Sequence, residues 1–306
     1  GSGRFAAFYS PAAFALALDE LIEEAGVDVW LDTRACVPVM DGSSVAGVEV
    51  ENASGRILIE ASCTVDATGD AMVASRAGAP CRQRGSFPSF LYSVTSLALA
   101  REAASRSTAE RAASWKGGGA ANEFDRGYDG PSPMVDGTRG RALSRWILES
   151  RKIARTNLAA EQAVLGPKGR ENLYPVALPV LPQIRMARCI DGVETVTDGD
   201  KNRHRERSIG MVADCRQVNA VWEIPFGCLV PKGVDNLLVA GRCVSAEGYA
   251  WQVTRLVAGV VLTGQVAGIA ASLSVGSRVP PGRIEVPHLQ REVLNRGIPI
   301  RRNNAS

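Results

Sequence analysis

The chain has 306 residues, a net charge of +3, and a composition in which 45% of residues are hydrophobic and 22% are charged. This length accommodates one large domain or two ordinary ones, and the composition is that of a soluble globular protein. The small net charge predicts no nucleic-acid surface, because the basic clusters Arg203 to Arg207 and Arg301 to Arg302 lack interleaved aromatic residues. We interpret both clusters as solvated faces or tails.

The cysteine and histidine contents exclude several kinds of site. Seven cysteines, an odd number without a C-x-x-C pair, predict a reducing, cytoplasmic compartment and no structural zinc site. His204 and His288 are the only histidines, which excludes a multi-histidine metal centre. A Ser-His-Asp hydrolase would have to use one of these two poorly placed residues. No signal-peptide pattern is visible near Gly1, and we expect no metal.

The first part of the chain predicts a helix followed by strands. Ser10-Pro11 is typical of a helix start and Gly26 of its end, and Val27 to Leu31 then reads as a strand. Glycine-containing turn signals separate the next apolar runs and predict a β-meander. Its strands are Ala35 to Met40, Val45 to Glu51 and Arg56 to Glu60.

Two places in the sequence predict a strand, a small-residue turn and a helix. At the first, Cys63 to Ala67 leads into Thr68-Gly69-Asp70 and a helix that ends near Gly78. At the second, Asn236 to Ala240 leads into Gly241 and a helix from Trp251 to Ser274. Open α/β sheets place ligands at such turns, where the helix amino end can face an anion. These turns are therefore the predicted binding region.

The long second helix allows an alternative interpretation. Leu256 to Val275 carries no formal charge and is about as long as the ~20 residues that a membrane span needs. Gly264 and Gly268 also form a G-x-x-x-G pattern. We favour a buried soluble helix, because Gln265 lies in its middle and Ala and Gly predominate over Leu and Phe. No membrane association is predicted.

The segment between these two regions follows a different pattern and predicts an inserted α+β domain. Lys116 to Gly140 is rich in Gly, Pro and Asp and predicts a long surface loop. The predicted helices around it are Ala98 to Trp115 and Ala142 to Leu165. The predicted strands are Phe90 to Leu97, Val176 to Leu181, Ile184 to Ile190, Ser208 to Ala213 and Ala220 to Leu229. A short helix from Pro287 to Gly297 is predicted near the end of the chain.

Both turns resemble a known protein family in their residues as well as in their pattern. The stretch VPKGVDNLLVAGRCVSAEG, followed by TRLVAGVVLTGQVAGIAA, resembles the FAD-dependent oxidoreductase family, relatives of the succinate dehydrogenase and fumarate reductase flavoproteins. The stretches VDATGDAMVASRAGAP, LPQIRMARCIDG and EIPFGCLVPKG resemble the same family. The resemblance implies a Rossmann-like α/β fold of the glutathione-reductase type with a β-meander. It further implies an FAD-binding domain at residues 1–81 and 230–306 and a substrate domain at 82–229.

The resemblance also implies which residues hold the cofactor, FAD. Carried over position by position, these are Thr68, Gly69, Asp70, Gly241, Arg242, Ser245, Val253, Thr254 and Arg255. In the family the long helix points its amino end, here Val253 to Arg255, at the flavin ring. Arg255 would either pair with the cofactor or anchor a carboxylate substrate through its bidentate fork.

Arg185 and Arg188 occupy the positions of two family arginines and are the other catalytic candidates. Their spacing would not put them on one face of a regular strand, so at most one of them is expected to face the pocket. A covalent-flavin or redox role of Cys243 is disfavoured, since no second cysteine is near it in the sequence. The sequence identifies no general acid or base.

The G-x-G-x-x-G strand and helix that open a glutathione-reductase-like flavoprotein are not found. We therefore expect a fragment or subunit of such an enzyme, whose FAD site a partner chain or a missing amino-terminal half completes. We also expect it not to be stable alone. The predicted reaction is hydride transfer between FAD and a small organic substrate, possibly a carboxylate. The alternative is a non-catalytic subunit that acts in assembly with a partner chain.

Overall fold

A computed structural model describes residues 10–120, 133–181 and 183–302 of the chain. Two compact units are present: the first contains residues 19–83 and 188–302, and the second contains 10–18 and the described part of 84–187. Residues 188–229, assigned above to the substrate domain, lie in the first unit. Which unit binds cofactor and which binds substrate stays a prediction.

The fold is mixed α/β with several small sheets. The first elements in chain order are α1 (Pro11–Glu24), β1 (Arg34–Asp41), β2 (Ser44–Asn52), β3 (Gly55–Glu60), β4 (Thr64–Asp66), α2 (Met72–Arg76), β5 (Cys81–Gln83), β6 (Ser89–Ser96), α3 (Leu97–Arg106) and β7 (Ala113–Gly119). The remaining elements are α4 (Gly140–Val164), α5 (Gly169–Asn172), β8 (Leu173–Ala177), β9 (Arg188–Ile190), β10 (Ser208–Ala213), β11 (Val221–Pro225), β12 (Leu237–Val239), α6 (Ala250–Thr254), α7 (Val257–Ser277) and α8 (Val286–Asn295).

The predicted β-meander is confirmed. Strands β1, β2 and β3 form one antiparallel sheet, with β2 in the centre. Gly42 lies in the first connecting turn and Gly55 begins β3 directly after the second, with φ of 58° and 101°, a backbone region that glycine enters without a steric penalty. Val45 and Val50 turn their side chains into the core of the first unit. The turn glycines therefore fix where each strand ends.

Both predicted strand–turn–helix junctions are present, and their strands are adjacent. Strand β4 pairs in parallel with β12, so that Thr64 lies opposite Leu237 and Asp66 opposite Val239. All three residues of β12 are fully buried, as expected of a strand that is covered on both faces. Because the strands are parallel, the turns that follow them emerge at the same edge.

The second unit is built on an antiparallel sheet in the order β7, β6, β8. Phe90 and Tyr92 of β6 pack with Trp146 of α4, whose ring centroid lies 6.1 Å from that of Phe90. Trp146, Ser150 and Ala154 recur every four residues and form the buried stripe of α4. This core is separate from that of the first unit.

Some predicted boundaries in the second unit are wrong. The helix predicted to run from Ala98 to Trp115 ends at Arg106, because Ser107 adopts the left-handed conformation with φ of 53°. The chain from Ala113 then forms β7, which the sequence analysis missed. The predicted loop Lys116 to Gly140 therefore begins in a strand, and its residues 121–132 lie outside the described ranges.

Other predicted strands are shorter than expected or absent. Val27 to Leu31 forms no strand, since no described strand pairs with it. The strand predicted at Val176 to Leu181 is β8, which begins and ends earlier. Of Ile184 to Ile190 only the last three residues pair, as β9, and of Ala220 to Leu229 only Val221 to Pro225 pair, as β11. Apolar runs thus became strands only where a partner strand lay beside them.

The helix predicted from Trp251 to Ser274 is also wrong, because it is two helices. Leu256 is extended, with ψ of 156°, and separates α6 from α7. Gly259 comes so close to the end of α6 that a Cβ on it would lie 2.2 Å from the carbonyl oxygen of Thr254. Within the described residues, α7 is the one helix that is long and apolar enough to span a membrane, and 39% of its most apolar stretch is buried in the structure.

This break gives a direct prediction. Gly259→Ala should destabilise the protein by about 1–3 kcal/mol, because the new methyl group meets backbone that cannot rotate away. Gly264→Ala in the same helix has open space, so it should be neutral or stabilising by roughly 0.5–1 kcal/mol. Urea unfolding of both variants checks this pair, and equal effects would contradict the described break.

Candidate functional site

The candidate site is the edge at which β4 and β12 end. Gly69 follows β4 with φ of 83°, and Gly241 follows β12 with φ of 85°. Both values lie in the region that L side chains rarely adopt, so each turn depends on glycine. Ligands of open α/β sheets bind at the carboxyl ends of parallel strands, as the sequence analysis expected for these two turns.

A buried carboxylate holds the first turn in place. Asp66, the last residue of β4, is 1% exposed and accepts hydrogen bonds from the Thr68 amide at 3.0 Å, the Thr68 hydroxyl at 2.7 Å and the Ala74 amide at 2.9 Å. The Thr68 hydroxyl oxygen in turn accepts from the amide of Met72. Sequence reasoning missed Asp66, although an Asp two residues before a Thr-Gly turn is a detectable signal.

The two turns are joined by an ion pair. Arg242 donates from Nη2 to Oδ2 of Asp70 at 2.9 Å and from Nε to Oδ1 at 3.4 Å. Arg188 donates from Nε to the Asp70 carbonyl oxygen at 2.7 Å. We call Gly69, Asp70, Arg188, Gly241 and Arg242 the turn cluster. It brings together five residues that the sequence analysis selected from three separate stretches.

Glycine at position 69 is required by space as well as by conformation. A Cβ there would lie 2.8 Å from Cζ of Arg242, which is closer than real contacts allow. The guanidinium therefore lies directly against the backbone of the first turn. It is half-buried, with 36% of the side chain exposed, and Asp70 is 21% exposed.

The second turn is held by side chains of α6 and α7. The Gly241 amide donates to Oγ1 of Thr263 in α7 at 3.0 Å, and that hydroxyl donates to the Gly259 carbonyl at 2.9 Å. The indole Nε1 of Trp251 in α6 donates to the Arg242 carbonyl at 2.7 Å. Thr263 gave no signal in the sequence, because it lies within an otherwise apolar helix.

Three other predicted cofactor residues lie in the core of the first unit. Ser245, Val253 and Thr254 are fully buried. The hydroxyl of Ser245 lies 2.8 Å from that of Thr195, and the hydroxyl of Thr254 donates to the Trp251 carbonyl at 3.3 Å. Their role at a cofactor stays a prediction.

The arginine candidates divide between the two units. Arg255 follows α6, is half-buried, and donates from Nε and Nη2 to Oε1 of Gln252. Arg185 lies in the second unit and donates to the Phe87 carbonyl at 3.4 Å, whereas Arg188 lies in the first. The expectation that Val253 to Arg255 form the amino end of the long helix is wrong, because α7 begins at Val257.

The thiol of Cys243, next to the turn cluster in the sequence, is expected to be unreactive. Burial raises the pKa of the Cys243 thiol to about 12, so it stays protonated at neutral pH. A thiol that is not ionised is a poor nucleophile and a poor metal ligand. Among the described residues, no group of three or more His, Cys, Asp or Glu side chains is arranged to hold a metal ion.

The crowding at Gly69 predicts energetic coupling to Arg242. Gly69→Ala should cost about 1–2 kcal/mol of backbone strain plus up to about 1 kcal/mol for separating Arg242 from Asp70. Gly78→Ala, at φ of 87° with no atom near its Cβ, should show the strain alone. In an Arg242→Ala background the extra cost of Gly69→Ala should vanish, and additivity in this thermal-unfolding cycle would contradict the contact.

Comparison with known proteins identifies the family of the chain. A family model described as FAD dependent oxidoreductase matches residues 2–88 and 138–293, which is well over half of the chain. Among curated proteins none matches. A solved structure, the p-nitrophenol 4-monooxygenase PnpA from Pseudomonas putida DLL-E4, is similar at 12% identity and a TM-score of 0.42. That similarity covers 92% of this chain but 57% of the monooxygenase, and at this score it carries no argument. The extent of the family match shows that the chain belongs to the FAD-dependent oxidoreductase family.

Proposed function

We propose that this chain binds FAD at the turn cluster and forms part of an enzyme that transfers hydride between the flavin and a small organic substrate. The observation that carries the proposal is the Asp70–Arg242 pair, which joins two glycine turns at the shared edge of β4 and β12. Bound FAD would supply the redox chemistry, while the protein binds, orients and shields it.

The residues of the turn cluster fit a dinucleotide. Asp70 accepts hydrogen bonds from Nε and Nη2 of Arg242. Among the described residues, none accepts a hydrogen bond from Nη1. Nη1 is therefore the donor we assign to a phosphate oxygen of the cofactor. Gly241 lets the backbone come close to a ligand, because a Cβ there would meet no atom closer than 4.0 Å, whereas Gly69 makes room for the Arg242 guanidinium. Asp70 offsets part of the arginine charge and fixes its direction.

The cluster is held in place before any ligand binds. Asp66 fixes the first turn, and Thr263 and Trp251 fix the second. A site whose groups are already ordered loses less conformational entropy on binding. We therefore infer that the turns serve as a rigid platform, with the β4–β12 sheet and the separate meander sheet both belonging to a glutathione-reductase-like fold.

Arg255 and the start of α7 are assigned to the reacting end of the site. The side-chain oxygen Oε1 of Gln252 fixes the direction of the Arg255 guanidinium, which would pair with cofactor or anchor a substrate carboxylate. The amino end of α7, rather than Val253 to Arg255, would stabilise negative charge on the reduced ring. Arg185 and Arg188 remain the alternatives for binding a carboxylate substrate.

An unpaired strand edge and exposed apolar side chains support a further polypeptide segment beside the first unit. Among the described strands β4 pairs with β12 alone, so its other edge has hydrogen-bonding groups to offer. Leu31 is 81% exposed. On α7, Val257 and Val261 are 74% and 59% exposed. We propose that a strand from a partner chain, or from a longer form of this chain, covers these surfaces in the cytoplasm.

The same surfaces favour a second candidate function, that of a non-catalytic subunit that acts in assembly with a partner chain. Exposed apolar area of this kind marks interaction sites in soluble proteins. The two functions differ in one measurable property, because the assembly role requires no flavin.

Titration with FAD tests the enzyme proposal. Arg242→Ala should raise the dissociation constant for FAD at least tenfold, since a charge-assisted contact is worth about 1.5–3 kcal/mol. Quenching of flavin fluorescence measures it, with Arg291→Ala on α8 as a control of equal charge change. Unchanged affinity in Arg242→Ala would contradict the assigned contact, and a folded wild-type chain that does not bind FAD would favour the assembly role.

Binding of an apolar dye tests the uncovered face of α7. Val257→Ser with Val261→Ser should lower anilinonaphthalene sulfonate fluorescence of the isolated chain, because both side chains belong to one exposed helix face. Val218→Ser is the control, since Val218 is 88% exposed but lies outside that helix. Equal dye binding by all three proteins would show that α7 presents no apolar surface.

A further inference from the structure

A cleft in the first unit collects positive charge from two distant parts of the chain. It has a volume of about 430 Å³ and is lined by Asn202, Arg203, His204, Val221, Glu223, Arg301 and Arg302. None of these residues belongs to the turn cluster. The volume is within the range of about 300–1,000 Å³ that small-molecule sites occupy. Taken alone, each of the two basic segments is typical of a solvated face or tail.

The one carboxylate in the cleft does not neutralise the arginine side chains around it. Glu223 is buried and accepts from Nδ1 of His204 at 2.9 Å and from the backbone amides of Arg205 and Arg302 at 2.8 and 3.2 Å. None of these three contacts involves a guanidinium group. Glu223 therefore anchors the backbone of both basic segments and leaves their charged ends to other partners.

Two of the three guanidinium groups have no protein partner in the described part of the chain. Within residues 10–120, 133–181 and 183–302, no side chain pairs with Arg203 or Arg301, and Arg302 donates only to the neutral oxygen of Asn202 at 3.3 Å. The neighbouring Arg205 shows the contrast, because it pairs with both Asp200 and Glu194. Three guanidinium charges thus face one carboxylate.

The backbone that carries these arginines is held in one arrangement. Asn202 adopts the left-handed conformation with φ of 58°, and its side-chain oxygen accepts from the Val221 amide at 3.0 Å and from Arg302. A solvated basic tail needs no such anchoring. A binding site does, since fixed donors lose less entropy when a ligand arrives.

We propose that this cleft binds a small ligand that carries phosphate, with at least two negative charges. Guanidinium forks match the oxygens of phosphate in pairs, and the excess of positive charge suits a dianion. The lining contains no Phe, Tyr or Trp ring on which a base could stack, and its one imidazole, His204, is bound to Glu223, so the chemistry favours a small molecule over a nucleic acid. The site is independent of flavin binding.

Calorimetric titration with pyrophosphate tests the proposal in low-salt buffer. The purified wild-type protein should bind one pyrophosphate per chain. Arg203→Ala with Arg301→Ala should weaken binding at least about tenfold, because two charged donors are lost. These two side chains have no described partner, so their removal should leave the fold intact, which an unchanged circular dichroism spectrum verifies.

The matched control is Arg145→Ala with Arg291→Ala, which removes the same net charge at two exposed positions outside the cleft. Its affinity for pyrophosphate should equal that of the wild type. Succinate, a dianion with carboxylates in place of phosphate, should bind more weakly. The proposal is overturned by the absence of saturable binding, by equal losses in both double variants, or by succinate that binds as tightly as pyrophosphate.

Discussion

The parallel pairing of β4 with β12 is the constraint on which the candidate site depends. These strands lie far apart in the sequence, and their pairing places two glycine turns side by side. The Asp70–Arg242 ion pair that joins the turns is partly exposed, and pairs of this kind contribute only about 0–1 kcal/mol to stability. The ion pair therefore matters mainly because it fixes the direction of the Arg242 guanidinium.

The energetic support for the site lies behind it. Asp66 satisfies three donors from a position that is almost fully buried, and an unmet buried donor would cost about 1–3 kcal/mol. Thr263 and Trp251 satisfy the amide of Gly241 and the carbonyl of Arg242 in the same way. These contacts join the apolar helix α7 to the polar turn. The packing of α7 therefore helps to hold the candidate site in place.

Local chemistry made part of this fold predictable. Gly42 and Gly55 mark the meander, the unbroken apolar run of β12 marks a doubly covered strand, and Gly69 and Gly241 mark the turns. The rest depends on residues that are distant in sequence. Val27 to Leu31 has strand composition but no described partner strand, and β7 is glycine-rich yet pairs with β6. The break at Leu256 and the roles of Asp66 and Thr263 arise from packing, which periodicity does not report.

The arginines of the first unit show how context divides one residue type among tasks. Arg205 forms ion pairs with two carboxylates and Arg242 with one. Arg203 and Arg301 line a cleft and pair with no carboxylate among the described residues.

The proposal that this chain binds FAD is tested by a visible absorption spectrum across a gel-filtration peak after incubation with excess FAD. We expect a flavin band that elutes with the protein, and we expect the protein to release intact FAD on denaturation. A protein peak without that band would contradict it.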